Sequence, residues 1–207
     1  MVNLTRIYTR TGDAGETRLG DMSLTTKNDL RLHAYADVDE ANAAIGVALA
    51  HGGLEDDVVA LLTRVQNDLF DVGADLCTPV VPDPEYPPLR IEQDYVDRLE
   101  GWCDHYNEPL EALRSFVLNG GTVPAAHLHV ARTVVRRAER AGWAAWAEHG
   151  EVMNKLSLTY LNRLSDLLFI LSRVANLGPG GSGDVLWQPG GGRDRPEQGS
   201  AASGEQE

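Results

Sequence analysis

The sequence predicts an all-α fold, a five-helix up-and-down bundle with an N-terminal phosphate-binding loop and a flexible C-terminal tail. Three observations lead to this expectation. Apolar residues recur at spacings of three and four along successive segments, no strand-length segment alternates convincingly, and the composition turns to Gly, Pro and Ser after Asn176. The 207 residues suit one bundle domain, placed at 1–177, followed by a Gly/Pro-rich tail at 178–207.

The first two helices have the clearest periodicity. Helix one is predicted over about residues 28–51, where Gly52 and Gly53 end it. Helix two is predicted over about residues 55–76. Its apolar residues alternate spacings of four and three, as in a helix packed lengthwise in a bundle: Val58, Leu62, Val65, Leu69, Val72 and Leu76.

Proline and glycine divide the rest of the chain. Prolines between residues 79 and 88 forbid helix and predict an extended connector, after which helix three turns Tyr95 and Leu99 inward. Helix four is expected to begin at Pro124 and to end near residue 148, and helix five to cover residues 151–176. The apolar trio at residues 185–187 is interpreted as a stray hydrophobic cluster rather than a segment docked on the bundle.

Composition excludes several classes of function. With 18 Lys and Arg against 31 Asp and Glu, the net charge of −13 disfavours nucleic acid and anionic membranes as partners. Cys77 and Cys103 cannot build a disulfide framework, and the N-terminus has no secretory hydrophobic region, so a cytoplasmic protein with reduced thiols is expected. The six histidines form no metal-ligand motif, and no protein metal site is predicted.

The N-terminal segment 9–17, here called the phosphate loop, combines hydroxyls, glycines and a guanidinium. Glycine allows backbone N–H groups to turn onto an anion, threonine hydroxyls donate, and arginine adds charged donors. The segment is not a Walker A motif, because it lacks the G-x-x-x-x-G-K-[ST] run. Two interpretations stay open: a phosphate cradle, and an idle polar arm with a turn at Gly12 and Asp13.

Helix four reverses the acidic character of the chain. Arg132, Arg136 and Arg140 lie four residues apart and share one helix face, with Arg137 and Glu139 beside them. A solvated charged face is the ordinary interpretation of such a run. Because Arg132 and Arg136 border the predicted buried face, an anionic partner is the alternative.

Further polar residues lie at informative positions. Asn162 and Asp166 interrupt the apolar pattern of helix five on one face, where a nucleotide contact and an interhelical hydrogen bond are both possible. Lys27 is a mobile charge suited to a triphosphate, and Asp39 offers a carboxylate to an arginine of another helix or subunit. No protein nucleophile is evident, which favours a protein that positions two bound molecules to react with each other.

Four segments, taken together and in order, resemble the PduO-type ATP:cob(I)alamin adenosyltransferases: 8–15, 65–74, 132–140 and 160–166. The resemblance spans nearly the whole chain to Asn176. It implies a homotrimer of five-helix bundles with ATP and corrinoid bound at subunit interfaces. It also implies the reaction: aided by Mg²⁺, the 5′-deoxyadenosyl group of ATP moves to the cobalt of cob(I)alamin, giving adenosylcobalamin and triphosphate.

The resemblance also assigns residues. Asp39 and Arg132 are similar to the family's intersubunit salt bridge, and Phe116 to the aromatic residue that closes the lower face of the corrin and displaces its axial base. The implied catalytic set consists of Asp39, Phe116, Arg132 and Arg136. Asn119 departs from the family's pattern, which has proline there, so a more mobile loop is expected. The implied ATP contacts are Thr9, Arg10, Thr11, Gly12, Thr17, Arg18, Lys27, Arg136, Arg137, Glu139, Arg140 and Asn162.

Two other functions are weighed against the enzyme. One is a carrier that delivers adenosylcobalamin or nucleotide without turnover, and the other is a purely structural bundle. As an enzyme of this kind, the protein is expected to work with a corrinoid reductase and with an adenosylcobalamin-dependent client enzyme.

Overall fold

A computed structural model describes residues 8–191 and confirms the all-α bundle. Within this range the chain forms five α-helices: α1 (Leu30–His51), α2 (Asp56–Cys77), α3 (Gln93–Asn107), α4 (Val123–His149) and α5 (Lys155–Leu177). Helix α1 packs on α2 and α4, and α5 packs on α4 and α3. None of the helices between residues 8 and 191 is long and apolar enough to cross a membrane.

The predicted apolar faces form the core. All six periodic residues of α2 are buried, from Val58 to Leu76, and α1 contributes Val38, Ala41 and Ile45. Helix α1 begins where the Asp29 side chain accepts a hydrogen bond from the Arg31 backbone, and it ends at Gly52 with φ of 71°. Burial of these stripes gives the bundle its main stabilisation.

Helix α5 begins four residues later than predicted. A short 3₁₀ turn, Gly150–Val152, follows α4 because Gly150 adopts φ of 50°, which a helix cannot continue. Asn154 then caps α5 by accepting a hydrogen bond from the Leu156 backbone, 3.0 Å away. At the start of α4, Thr122 provides the cap and Pro124 lies in the first turn, as predicted.

A small β-hairpin lies before α1, where no strand was predicted. Strands β1 (Glu16–Arg18) and β2 (Leu24–Thr26) pair antiparallel, with Thr17 opposite Thr25. At three residues each, they are too short to show an alternating pattern. The hairpin fixes the end of the phosphate loop.

The apolar trio after α5 docks, contrary to its interpretation as a stray cluster. Residues 184–187, here called the strap, pair with the segment that carries Phe116: the Leu118 N–H donates to the carbonyl of Val185 (2.8 Å), and the Trp187 N–H to that of Phe116 (2.7 Å). Asp184 pairs with the buried Arg173 at 2.8 Å. The division at 177/178 stays a prediction, and the rest of the proposed tail, residues 192–207, lies outside the described residues.

Candidate functional site

The phosphate loop is closed by a turn and held next to Lys27. The N–H of Gly15 donates to the carbonyl of Gly12 (3.2 Å), and the N–H of Lys27 donates to the carbonyl of Gly15 (2.8 Å). A Cβ atom added at Gly12 would lie 3.2 Å from the ammonium nitrogen of Lys27. The structure therefore brings the predicted glycine turn and the predicted cation together.

Part of the loop lines an open cleft. Its volume is about 510 Å³, and the residues that line it come from the loop and the hairpin: Thr11, Gly12, Glu16, Thr17, Arg18 and Leu24. The hydroxyls of Thr9 and Thr11 are 2.8 Å apart, and Arg10 adopts φ of 63°. Arg18 donates to the carbonyl of Met22 at 2.7 Å. Hydroxyl and cationic donors thus border one concave surface.

The arginine cluster, defined as Arg136, Arg137 and Arg140, is exposed on α4. Arg137 pairs with Glu40 and lies 3.8 Å from Asp37, both on α1. Arg140 donates to the backbone carbonyl of Arg136 at 3.2 Å. Between residues 8 and 191, Arg136 has no ion pair, so its charge is available to a ligand.

Glu139 and Asn162 connect α4 to α5. The Asn162 carboxamide donates to the Glu139 carboxylate at 3.1 Å, so the interhelical hydrogen bond considered for Asn162 is present. Asp166 does not share this half-buried position. It is exposed and pairs with Arg163 at 3.2 Å, because Arg163 lies at the edge toward α3, where it also contacts Glu100.

The loop of residues 116–121, here called the Phe116 loop, is attached to α5 by hydrogen bonds at its C-terminal end. Asn176 accepts a hydrogen bond from the Thr122 N–H (2.9 Å) and donates to the Gly120 carbonyl (3.2 Å). Gly121 adopts φ of 108°, and a Cβ there would lie 2.0 Å from the Asn176 side chain. Phe116 itself is 77% exposed, with its ring centroid 6.0 Å from that of Trp187.

Asp39 and Arg132 do not meet within one chain. Asp39 is exposed and, in the part of the chain that the structure describes, makes no ion pair. Arg132 instead donates to Asn119 at 2.9 Å and lies over the Phe169 ring, 5.9 Å from its centroid. Burial, and then the charge of Arg136, lower the pKa of Arg132. Asp39 and Arg132 thus make no salt bridge with each other within the described residues of one chain.

The phosphate loop and the arginine cluster likewise do not bond to each other within the described residues of one chain. Among the described residues, no hydrogen bond or ion pair joins the predicted loop contacts to Arg136, Arg137 or Arg140. The structure thus assembles two groups of predicted site residues, one around Gly12 and Lys27 and one along α4, without joining them.

Sequence reasoning missed the buried polar residues. Asp75 accepts from Arg90, Asn154 and Ser157, and Asp68 accepts from Arg98 and Tyr160. Burial, reinforced by the charge of Asp68, raises the pKa of Tyr160 well above its ordinary value. The signal was available, because Asp68 and Asp75 lie seven residues apart beside the apolar face of α2.

His129 is the second missed feature. It is 2% exposed on α4, and neither ring nitrogen has a partner in the described structure. Burial, and then the positive charge of Arg132, lower its pKa. The ring is therefore held neutral inside the bundle.

The fold and the site define a class, the helical-bundle proteins with a glycine-threonine loop before the first helix and an arginine-rich fourth helix. The sequence model of one such family, described as cobalamin adenosyltransferase, matches residues 7–175. The chain belongs to the cobalamin adenosyltransferase family.

Similar proteins agree with this assignment. The corrinoid adenosyltransferase of Mycobacterium tuberculosis H37Rv is 65% identical over 192 residues, which are 93% of this chain and 97% of that protein. The corrinoid adenosyltransferase of Bacillus subtilis is 40% identical over 187 residues, with 88% and 92% covered. A solved variant of the PduO-type ATP:corrinoid adenosyltransferase from Lactobacillus reuteri, complexed with cobalamin and ATP, has a TM-score of 0.78 and 35% identity, and the match covers 88% of this chain and 99% of that one.

Proposed function

We propose that the phosphate loop, Lys27 and the arginine cluster form the ATP site of an adenosyltransferase. As a member of its family, the protein transfers the 5′-deoxyadenosyl group of ATP to the cobalt of cob(I)alamin, and adenosylcobalamin and triphosphate are the products. The observation that carries the residue assignment is the ammonium of Lys27 beside the Gly12 turn.

The chemistry requires a site that stabilises a leaving polyphosphate. The cobalt(I) centre supplies the electron pair of the new Co–C bond, and the C5′–O bond breaks with its electron pair going to the triphosphate. Negative charge on the triphosphate therefore grows toward the transition state. Fixed donors that meet this charge lower the barrier, and Lys27, Arg136 and the loop N–H groups are placed for that role.

The neighbouring contacts orient these donors. Arg137 is held by Asp37 and Glu40, so its guanidinium loses little freedom when a phosphate binds. The Asn162 carboxamide is positioned by Glu139, and its oxygen, which has no hydrogen bond between residues 8 and 191, can accept one from the nucleoside. We assign Arg10, Arg18 and Arg140 to the periphery of the triphosphate.

The cleft also suits a Mg²⁺ ion brought in by ATP. Magnesium binds few protein oxygens and retains water and phosphate ligands. Glu16 and Thr17 line the cleft and offer a carboxylate and a hydroxyl. When bound, the ion would neutralise charge on the departing triphosphate.

We further propose that the site is completed in a homotrimer. Asp39 and Arg132 form no salt bridge in the described part of one chain, and the phosphate loop does not bond to the arginine cluster there. This is the arrangement expected when two groups of site residues meet across a subunit interface. Phe116, largely exposed, would cover the lower face of the corrin and exclude its axial base.

The reaction also implies partners. Cobalt(I) has to be produced by a reductase, and an adenosylcobalamin-dependent enzyme would consume the product. We place the protein in the cytoplasm, in keeping with the free thiols of Cys77 and Cys103.

Incubation with ATP, Mg²⁺ and chemically reduced cobalamin tests the proposal. Adenosylcobalamin and triphosphate should appear in equal amounts. Tight binding of adenosylcobalamin with no turnover would instead identify a carrier, and a calorimetric titration without ATP binding would leave only a structural bundle.

A further inference from the structure

One carboxylate joins three elements at the base of the phosphate loop. Oδ2 of Asp29 accepts from the hydroxyl of Thr25 on β2 at 2.6 Å, and Oδ1 accepts from the backbone N–H of Arg31 on α1 at 2.8 Å. Nε2 of His149, at the end of α4, lies 3.0 Å from the same Oδ1. Hairpin, first helix and fourth helix thus converge on Asp29, whose side chain is 15% exposed.

The contact from His149 is the long-range one. His149 is 120 residues from Asp29 in sequence, whereas Thr25 and Arg31 are near neighbours. A local turn could form without α4, and the His149 contact ties that turn to the C-terminal end of α4. With Nε2 protonated, the ring donates to a carboxylate, which is a charge-assisted hydrogen bond.

Lys27 lies inside the segment that this carboxylate anchors. The N–H of Asp29 donates to the carbonyl of Thr26 at 3.1 Å, and the N–H of Lys27 donates to the carbonyl of Gly15 at 2.8 Å. The backbone of Lys27 is therefore held on one side by the phosphate loop and on the other by the Asp29 anchor. Its ammonium lies beside the Gly12 turn.

We propose that Asp29 and His149 are positioning residues for ATP binding, acting through Lys27. The inference rests on the proposed ATP site. Neither residue is assigned a contact with ATP; together they fix the hairpin and Lys27 against the C-terminal end of α4. Preorganisation of this kind lowers the entropic cost of binding and leaves the reacting centres unchanged. Loss of the contact should therefore weaken ATP binding much more than it slows the chemical step.

The test compares three variants in steady-state kinetics, with ATP varied at saturating cob(I)alamin. For His149→Ala we expect KM for ATP to rise about tenfold, the effect of losing one hydrogen bond to a charged group, with kcat within about twofold of wild type. His149→Gln, whose carboxamide can still donate to Asp29, should recover most of the affinity. His105→Ala, on the exposed end of α3, serves as the matched histidine control and should leave KM unchanged.

Two further variants separate this inference from the proposed ATP site. Lys27→Ala should raise KM for ATP by itself, and adding His149→Ala to it should raise KM little more, because both act through one side chain. If Lys27→Ala has no effect on KM, the assignment of the ATP site fails. If Lys27→Ala raises KM but His149→Ala leaves it unchanged, the positioning role is wrong and the site assignment stands. The same conclusion follows if His149→Ala lowers only kcat and thermal stability.

Discussion

Arg132 and Asn119 join the arginine-rich helix to the Phe116 loop: Nη2 of Arg132 donates a hydrogen bond to Oδ1 of Asn119, 2.9 Å away. The sequence led us to expect a looser loop here, because asparagine does not fix φ as proline does. The Asn119 carboxamide accepts a hydrogen bond from Arg132, which a proline side chain cannot do. The loop is tied to α4 through Asn119 and to α5 through Asn176.

Removing the Asn119 carboxamide should make the Phe116 loop, and with it Phe116, more mobile. For Asn119→Ala we expect activity that starts from cob(II)alamin to fall by roughly threefold to tenfold, consistent with the loss of a hydrogen bond to a charged group, because the loop would hold Phe116 less firmly. Activity that starts from cob(I)alamin should change less. Asn107→Ala, at the exposed end of α3, is the control, and equal losses in both assays would argue against the role of the Asn119 contact.

Phe116 should act by excluding the axial base of the corrinoid rather than by binding ATP. With the ring exposed at the surface of the chain, Phe116→Ala should remove what excludes the base and so impair the reaction from cob(II)alamin far more than the reaction from cob(I)alamin. Both rates are measured by the absorbance of adenosylcobalamin. Tyr86→Ala removes a comparably exposed aromatic ring from the connector before α3 and should have no effect. A matching decrease in both reactions would reject axial-base displacement.

Arg136→Ala should lose activity without losing the fold. Its charge is exposed and unpaired within the described residues, so its removal costs few native contacts. We expect kcat/KM to fall by about 10²-fold, as when one transition-state donor is removed, with a stability change within about 0.5 kcal/mol. Arg64→Ala on α2 is the control for removal of an exposed arginine. Parallel losses of activity and stability in Arg136→Ala would contradict its catalytic role.

His129 should make the bundle sensitive to acid. Burial lowers its pKa in the folded protein, so the unfolded chain takes up the proton first as the pH falls through about 6.5. The stability contribution is complete above that pH and is lost as the pH falls toward the folded pKa. Thermal unfolding at several pH values should give a shallower acid dependence for His129→Leu than for wild type. His105→Gln should keep the wild-type slope, and an unchanged slope in His129→Leu would exclude His129 as the source.

Periodicity predicted the helices well, since Val58, Leu62 and their successors on α2 are buried for the same reason that they recur in sequence. It could not reveal the hairpin, whose strands have three residues each. Nor could it reveal the strap, which is held by backbone hydrogen bonds and by the ion pair of Asp184 with Arg173, contacts that apolar periodicity does not encode. The contact between Asp29 and His149 spans 120 residues, and no local pattern predicts it. Residue types and spacing did suffice to select Gly12, Lys27 and Arg136 as candidates.

A structure determined with MgATP bound tests the central claim most directly. We expect the triphosphate in the cleft by the phosphate loop, with its oxygens about 3 Å from the ammonium of Lys27 and from a guanidinium of the arginine cluster, on the same chain or a neighbouring one. A triphosphate bound away from the Gly12 turn, with Lys27 and Arg136 free, would contradict the assignment.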